Sequence, residues 1–412
     1  MKVLMLTIGQ IDSLQKESVH INVIRALIGA GHSVSVLCSR ERRLGLPTEY
    51  SVESGIKIVR LRTLNVTRCS LLEKGVSMLL LEHQFVGAIK KYFKDDEFDL
   101  VIYNTPPITL ANVVKYCKKK FGCKSYLMLK DIFPQNAVDL GMMSTRGITG
   151  ILYKMFRAKE KKLYKYSDGI GCMSNANIEY LKAHNDNLDG KVIELFPNAV
   201  IVKSPHAPQK TKNRDVLDRL GVAADKMVFI YGGNLGKPQG LDFVAEAIKE
   251  CCNIDGICFI IVGKGVEKKK LFAKLKGVAN VIALDALPKD EYERLCGQCD
   301  VGMVALDKRF TIPNYPSRML SYLENAMPIF ACTDKNTDVK DLVEDQAKCG
   351  KWCPSGDVDA FKECVEWFVA NRDSLEQLGV NGYEYMAVNF NVADNVKKLE
   401  KFVQGNKEDK NV

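Results

Sequence analysis

MVFIYGGNLGKPQG, residues 227–240, is the stretch on which the reading of this chain turns. It begins with an unbroken apolar run, Met227 to Tyr231, the pattern of a parallel strand covered on both faces. Gly232 and Gly233 end the run. Asn234, Lys237 and Gly240 then precede an amphipathic stretch marked by Leu241, Val244, Ala245 and Ile248, which predicts a helix. Strand, glycine turn and helix together present backbone N–H groups and a helix N-terminus to an anion. Glycine lets the main chain approach a phosphate, and Lys237 adds a point charge. The spacing is neither GxGxxG nor a Walker loop, so an ordinary strand-to-helix turn fits the same residues and the rest of the chain must decide.

Outward from this stretch the same alternation repeats. Towards the C-terminus, strands are predicted at Ile257 to Val262, Val281 to Leu284, Val301 to Val304 and Pro328 to Ala331. Towards the N-terminus they fall at Lys2 to Ile8, Ser33 to Cys38, Ile56 to Leu61, Asp99 to Tyr103, Cys123 to Leu129, Gly169 to Met173 and Val192 to Phe196. Helices are predicted from about Ser18 and over Leu71 to Phe93. The polar stretch Val202 to Arg214 reads as an interdomain linker. The fold class is therefore α/β, with two Rossmann-like parallel-sheet domains facing a central cleft. Residues 1–200 form the first domain and 201–390 the second. Residues 391–412 supply a last helix, Val392 to Val403, expected to pack back on the first domain, and a charged tail from Gly405 expected to be disordered. Ligands belong at the carboxyl ends of the strands.

Composition narrows the class. At 412 residues and 46% hydrophobic content the chain can bury two cores of roughly 200 residues each. No run of about 18 apolar residues predicts a membrane-spanning helix. The first residues read as a buried strand rather than a signal peptide, so a cytoplasmic location is expected. Fourteen cysteines are scattered, mostly in apolar runs, as reduced core thiols would be. Cys296 and Cys299 make a CxxC without a second pair. His20, His32, His83, His184 and His206 show no HExxH spacing, and no GxSxG occurs. No metal site is expected. The net charge of +9 concentrates in Lys154, Arg157, Lys159, Lys161, Lys162 and Lys165, interleaved with Leu152, Met155, Phe156 and Leu163, and in Lys118, Lys119, Lys120 and Lys124. The helix Leu152 to Tyr166 fits either a solvated face or a surface lying on anionic lipid headgroups. No aromatic-studded motif accompanies the charge, so no nucleic acid partner is expected.

Several strand-end groups resemble the family-4 retaining glycosyltransferases of the GT-B fold. They are Gly233-Asn234-Leu235-Gly236-Lys237 with Gln239-Gly240, Val262-Gly263-Lys264-Gly265, and Pro316-Ser317-Arg318 with Tyr322 to Pro328. In the first half, Gly31-His32, Thr105-Pro106-Pro107, Lys130 to Pro134 and Phe196-Pro197-Asn198 look like the branch that builds bacterial O-antigens and capsules, and within it the chain is similar to the L-fucosamine transferases. The resemblance runs from Met1 to about Phe402. It implies transfer, with retention, from a UDP-sugar donor to a hydroxyl of a polyprenyl-diphosphate-linked saccharide acceptor. The donor sugar would be an N-acetylated hexosamine or deoxy-hexosamine. No cofactor beyond the donor is implied, and metal is typically not needed. The enzyme would sit peripherally on the cytoplasmic face of the inner membrane, held by its basic residues.

The resemblance also distributes roles. Lys237 and Arg318 would take the charge of the departing diphosphate, the largest catalytic contribution expected. Gly233, Asn234, Gly263, Gly265, Leu287 and Ser317 would line the donor, with Ser317 and Arg318 opening a helix after Pro316. Many family members carry two glutamates at positions that here are Pro313 and Ser321. Neither carboxylate is present, so Ser321 and the nearby Glu324 are the candidates for the ribose contact. On the acceptor side, Asp131 would meet the acceptor hydroxyl or the developing oxocarbenium charge, although an Asp capping the following turn has the same sequence signature. Gly9, His20, Thr105 and Pro106 would complete that pocket, while Lys130 would face the diphosphate, a lesser candidate because adjacent strand residues point opposite ways. No covalent nucleophile is assigned. Two rival readings share the fold: a UDP-sugar 2-epimerase, disfavoured by the scarcity of histidine, and a non-catalytic partner subunit.

Overall fold

The computed structural model describes residues 1–405 except 17, 67, 68, 70 and 212, and only the backbone of 71, 72 and 74. The tail expected to be disordered lies almost wholly outside the described residues. The chain forms two compact units: unit 1 is Met1–Ile201 together with the chain from Asn391, and unit 2 is Val202–Phe390.

Unit 1 contains β1 (Lys2–Thr7), β2 (Ser33–Glu41), β3 (Glu49–Glu53), β4 (Ile56–Thr63), β5 (Leu100–Asn104), β6 (Lys124–Leu129), β7 (Gly169–Cys172) and β8 (Val192–Leu195). They form one sheet in the order β3-β4-β2-β1-β5-β6-β7-β8. Val3 to Leu6 of β1 are fully buried, as the apolar run requires. The expectation of a wholly parallel sheet needs correction at one edge, because β3 pairs antiparallel with β4. Ser54 and Gly55, at φ 51° and 81°, make the tight turn of that hairpin. The polar strand has a use for its charges. Arg60 of β4 is almost fully buried and bonds Ser51 (2.8 Å), Glu49 (3.3 Å) and Glu53 (2.5 Å) of β3 as well as the Ile11 carbonyl (2.7 Å). A guanidinium this deep requires such partners.

The helix Val392–Gln404 belongs to unit 1. Asn391 caps it by accepting from the Ala393 amide, and Val392, Val396, Leu399 and Phe402 join Val3, Met5, Ile24 and Leu27 in one core. The Phe402 ring meets Tyr126 of β6 edge-on at 5.2 Å. His32, expected to cap or pack, bridges the Met1 amino group (3.1 Å) and Glu400 (2.8 Å).

Unit 2 contains β9 (Met227–Asn234), β10 (Ile257–Lys264), β11 (Val281–Asp285), β12 (Val301–Ala305), β13 (Ile329–Thr333) and β14 (Gly350–Pro354). The order is β11-β10-β9-β12-β13-β14 and all pairs are parallel. Strand β14 is absent from the sequence reading, because Gly350 and Lys351 break its apolar run. The stretch read as a linker packs on unit 2: Tyr383 Oη donates to the Ser204 carbonyl (2.7 Å) and Lys210 pairs with Asp300. All fourteen cysteines are free thiols, and Cys296 and Cys299 are buried. Within the parallel part of each sheet the strand order reverses once, between β1 and β5 in unit 1 and between β9 and β12 in unit 2. The carboxyl ends of those strands are where open α/β sheets take ligands.

Candidate active site

At the reversal point of unit 2, β9 ends in Gly232-Gly233-Asn234 and β10 in Gly263-Lys264. Gly233 and Gly263 are direct cross-strand partners. A Cβ on Gly263 would lie 2.0 Å from the Gly233 carbonyl oxygen, and one on Gly265 2.1 Å from that of Leu235. Gly233 itself sits at φ 120°, where a side chain is strained. These glycines are thus set by close backbone approach. Over this turn lies Arg318, whose Cζ is 4.3 Å from the centre of the buried Tyr231 ring and whose Nη2 would be 3.6 Å from a Cβ on Gly233. Arg318 forms no ion pair among the described residues, and its buried Nη1 has no hydrogen-bond partner. A permanently charged guanidinium held on an aromatic face without a carboxylate is an anion site by its chemistry.

The helix that presents Arg318 is positioned from below. Tyr322, one turn on and fully buried, accepts from the Gly232 amide (3.1 Å) and donates to the Ile230 carbonyl (3.2 Å). That helix, Arg318–Glu324, has only seven residues, and Ser317 makes no side-chain cap bond at its start. The dipole expected there is therefore minor, and the guanidinium supplies the charge. Lys237 opens a 3-10 turn, is exposed and makes no ion pair among the described residues. Asn234 donates to Gln239 (3.2 Å), which fixes the loop between them.

The remaining donor-side residues are less well gathered. Glu324 ends the helix about 9 Å along the axis from Arg318 and on another face. Ser321 is half-buried, with its carbonyl taken by Asn325 (2.8 Å). Leu287 follows the edge strand β11, two strand positions and on the order of 10 Å from β9.

In unit 1 the corresponding point joins Gly9 after β1, Asn104-Thr105-Pro106 after β5 and Lys130-Asp131 after β6. Thr105 is the hub. Its Oγ1 accepts from the amides of Lys130 (3.0 Å) and Asp131 (3.2 Å) and donates to the Asp131 carbonyl (3.0 Å). Asn104 Nδ2 donates to the Pro106 carbonyl (3.1 Å), which turns its Oδ1 to His20 Nε2 at 3.1 Å. The network thereby assigns the hydrogen to Nε2 and leaves Nδ1 an acceptor on the side of Gly9, where a Cβ would lie 3.5 Å away. Lys130 and Asp131 both follow the last residue of β6, so strand alternation does not separate their roles. Lys130 lies close enough to His20 to depress its pKa further, after burial.

Burial acts on every titratable group here. It pushes the Asp131 carboxyl up to about 6, against the two bonds from Asn136 Nδ2 (2.8 and 2.7 Å) that favour the charged form. It pulls Lys130 down to about 7; the Lys130 ammonium donates to the Phe196 carbonyl (3.0 Å) and has no carboxylate partner. Asp131 caps no helix: its carboxylate is held by Asn136 instead. Asn104, Asn136 and the Phe196 carbonyl are functional neighbours that sequence reasoning missed. A polar Asn ending an apolar strand, at Asn104, was the one available signal.

Residues 213–385, within unit 2, match the family model described as Glycosyl transferases group 1. A relative from Pseudomonas aeruginosa, "Probable glycosyltransferase WbjE", is 23% identical over 300 residues, 72% of each chain. WcaI of Escherichia coli (strain K12), assigned as a colanic acid biosynthesis glycosyl transferase, is 24% identical over 200 residues, 48% of this chain and 47% of its own. Among solved structures, Anabaena HepE in complex with UDP and glucose superposes with a TM-score of 0.68 at 14% identity, covering 98% of this chain and all of the other. The fold is GT-B, with one mixed and one parallel sheet, and the chain is a glycosyltransferase related to enzymes of polysaccharide biosynthesis.

Proposed function

We propose that this glycosyltransferase moves a sugar from UDP to a saccharide carried on a polyprenyl diphosphate. The product would enter a surface polysaccharide, capsule or O-antigen, on the cytoplasmic face of the inner membrane. The likeness to L-fucosamine transferases points to an N-acetylated hexosamine or deoxy-hexosamine as the sugar. One observation carries the donor half: Arg318, stacked on Tyr231 beside Gly233, is a half-buried cation whose buried Nη1 has no partner and which meets no counter-charge among the described residues. A diphosphate supplies that charge, and Lys237 adds to it from the neighbouring turn. The UDP assignment draws support from the HepE structure, which holds UDP and glucose, and the polysaccharide assignment from WcaI.

In the reaction the bond between the anomeric carbon and the diphosphate oxygen breaks, and the acceptor oxygen bonds to that carbon on the same face. The proton leaves with the diphosphate oxygen, on which Arg318 stabilises the developing charge. Asp131, ionised above about pH 6, receives the acceptor hydroxyl hydrogen bond, and His20 Nδ1 offers a second acceptor next to Gly9. The basic residues Lys159 and Lys162 favour an anionic membrane as the place where the acceptor is met.

Thermal melting with UDP, GDP, ADP and CMP at equal concentration, without added metal, tests the donor half. Binding at about 100 times the dissociation constant adds roughly 2.7 kcal/mol and raises the Tm visibly. A rise with UDP alone, lost in Arg318→Ala, is expected. A rise confined to GDP or CMP overturns the donor, and no rise with any nucleotide overturns the reading.

A further inference from the structure

Eight of the fifteen strongly exposed large apolar side chains among the described residues fall in two short segments of unit 1. One is the start of the helix Gly147–Tyr166, where Ile148 is 84% and Ile151 69% exposed, followed by Leu152 and Met155, with Met142 just before the helix. At 100° per residue, these four helical positions share one stripe, and Lys159 and Lys162 continue it. The opposite face buries Gly150, Glu160 and Tyr164, so the stripe is not an unfilled core contact. The other segment is Val76, Leu79 and Leu80, at i, i+3 and i+4 on the helix Leu71–Tyr92, whose buried face is Leu81, Phe85 and Ile89. Both helices pack against Ile108–Leu110, the turn that directly follows Thr105-Pro106-Pro107. The two apolar stripes therefore belong to elements that flank the Asp131 region.

Charge decides what covers them. On the helix Gly147–Tyr166 the single carboxylate, Glu160, is buried and paired with Arg157. Lys154, Lys159, Lys162 and Lys165 make no ion pair among the described residues. Glu82 of the second helix is buried against Asn112 (3.0 and 2.7 Å), and Glu73 is paired with Arg42 (2.9 Å). A second copy of this face would bring lysine against lysine. A bilayer offers acyl chains to the stripe and phosphates to the lysines that follow it.

We propose that the first turns of these two helices enter the acyl-chain boundary of an anionic bilayer, with Lys159 and Lys162 at headgroup level. The basic helix read from the sequence thus becomes the secondary contact, and the apolar turns before it the anchor. The inference rests on the proposed function only in taking the acceptor as lipid-borne, and its test uses neither donor nor acceptor.

Flotation of the full chain with phosphatidylcholine vesicles, with and without phosphatidylglycerol, at low and high salt, reads the two contributions separately. The wild type is expected to bind the anionic vesicles and to retain part of that binding at high salt, where surface charge is screened. Ile148→Glu with Ile151→Glu should weaken binding at least about tenfold at both salts, while its melting shift with UDP stays that of the wild type. Lys159→Gln with Lys162→Gln should lose only the salt-sensitive part. The proposal is overturned if the double glutamate variant floats like the wild type, or if high salt abolishes wild-type binding. Light scattering that shows a wild-type dimer, dissolved by the glutamates, in a protein that ignores vesicles would overturn it in favour of a second copy.

Discussion

Unit 2 meets its ligand region with Gly233, Gly263 and one guanidinium, whereas unit 1 meets its own with His20, Lys130 and Asp131. The first set cannot change charge between pH 4 and 10 in any ordinary setting. The second set consists of groups that all titrate, and burial moves each towards its neutral form. Under the proposed function the contrast follows from two jobs. A diphosphate carries charge throughout its stay, and a fixed cation on an aromatic face matches it. A hydroxyl must be held by a hydrogen-bond acceptor while its proton passes to the leaving diphosphate, and a carboxylate ionised near neutrality suits that task. If the two regions divide labour in this way, they can be perturbed one at a time.

The sharpest break is Asp131→Ala. It should lower kcat/KM by roughly 10²–10⁴ and leave the UDP melting shift intact. Losing both would mean that the two regions are not separable. Next, Arg318→Ala should cost roughly 10²–10³ in kcat/KM and abolish the UDP shift. Arg318→Lys should recover little of either, because an ammonium lacks the planar fork and the stacking on Tyr231.

The pH profile sharpens the same division. With ionised Asp131 required, kcat/KM should fall towards tenfold per unit as pH drops below about 6. The dissociation constant for a UDP-N-acetylhexosamine should stay flat over that range, since neither Arg318 nor a diphosphate diester titrates there. A donor affinity that tracks the rate would contradict the assignment.

The smallest effect is on stability. A carboxyl raised to about 6 in the folded state contributes stability that is present below its unfolded pKa and lost as pH rises through about 6. Asp131→Asn escapes that loss, so its Tm should climb relative to the wild type across this window and hold a constant lead above it. Each kcal/mol so gained moves the Tm by about 2–4 °C at this size. Lys130→Met mirrors it: a lysine lowered from 10.5 to about 7 costs stability as pH falls across that interval, so this variant should gain on the wild type down to about pH 7 and hold a constant lead below it.

The two regions also differed in how far the sequence revealed them. Met227 to Tyr231 announces a covered strand, and Gly233 and Gly263 announce close backbone approach, because a glycine's contribution is its missing side chain. Arg318 was legible from Pro316-Ser317 before it. Glu49–Glu53 was not legible as a strand, since its polarity answers Arg60, a residue on another strand. Strand β14 was hidden by Gly350 and Lys351. The unit 1 network was hidden more deeply: His20 and Asn104 stand 84 positions apart. The Asp131–Asn136 bonds need a turn that the intervening Phe133-Pro134 does not specify by pattern. Side-chain networks are properties of the folded chain, while glycine turns are properties of the local one.

The helix Val392–Gln404 carries a consequence for how such a chain is assembled. Val392 donates its amide to the Val200 carbonyl at 2.9 Å, and Val200 and Asn391 form a parallel bridge. The point where the chain leaves unit 1 and the point where it returns are therefore side by side. In topological terms unit 2 is an insertion, a continuous segment with both ends at one seam, whereas unit 1 is a host interrupted once. A fragment ending at Ile201 would lack Val396, Leu399 and Phe402 and leave the host's core open. A segment with both ends at one seam can be replaced without reordering the host's sheet, so under the proposed function the donor-binding unit is the part most open to exchange.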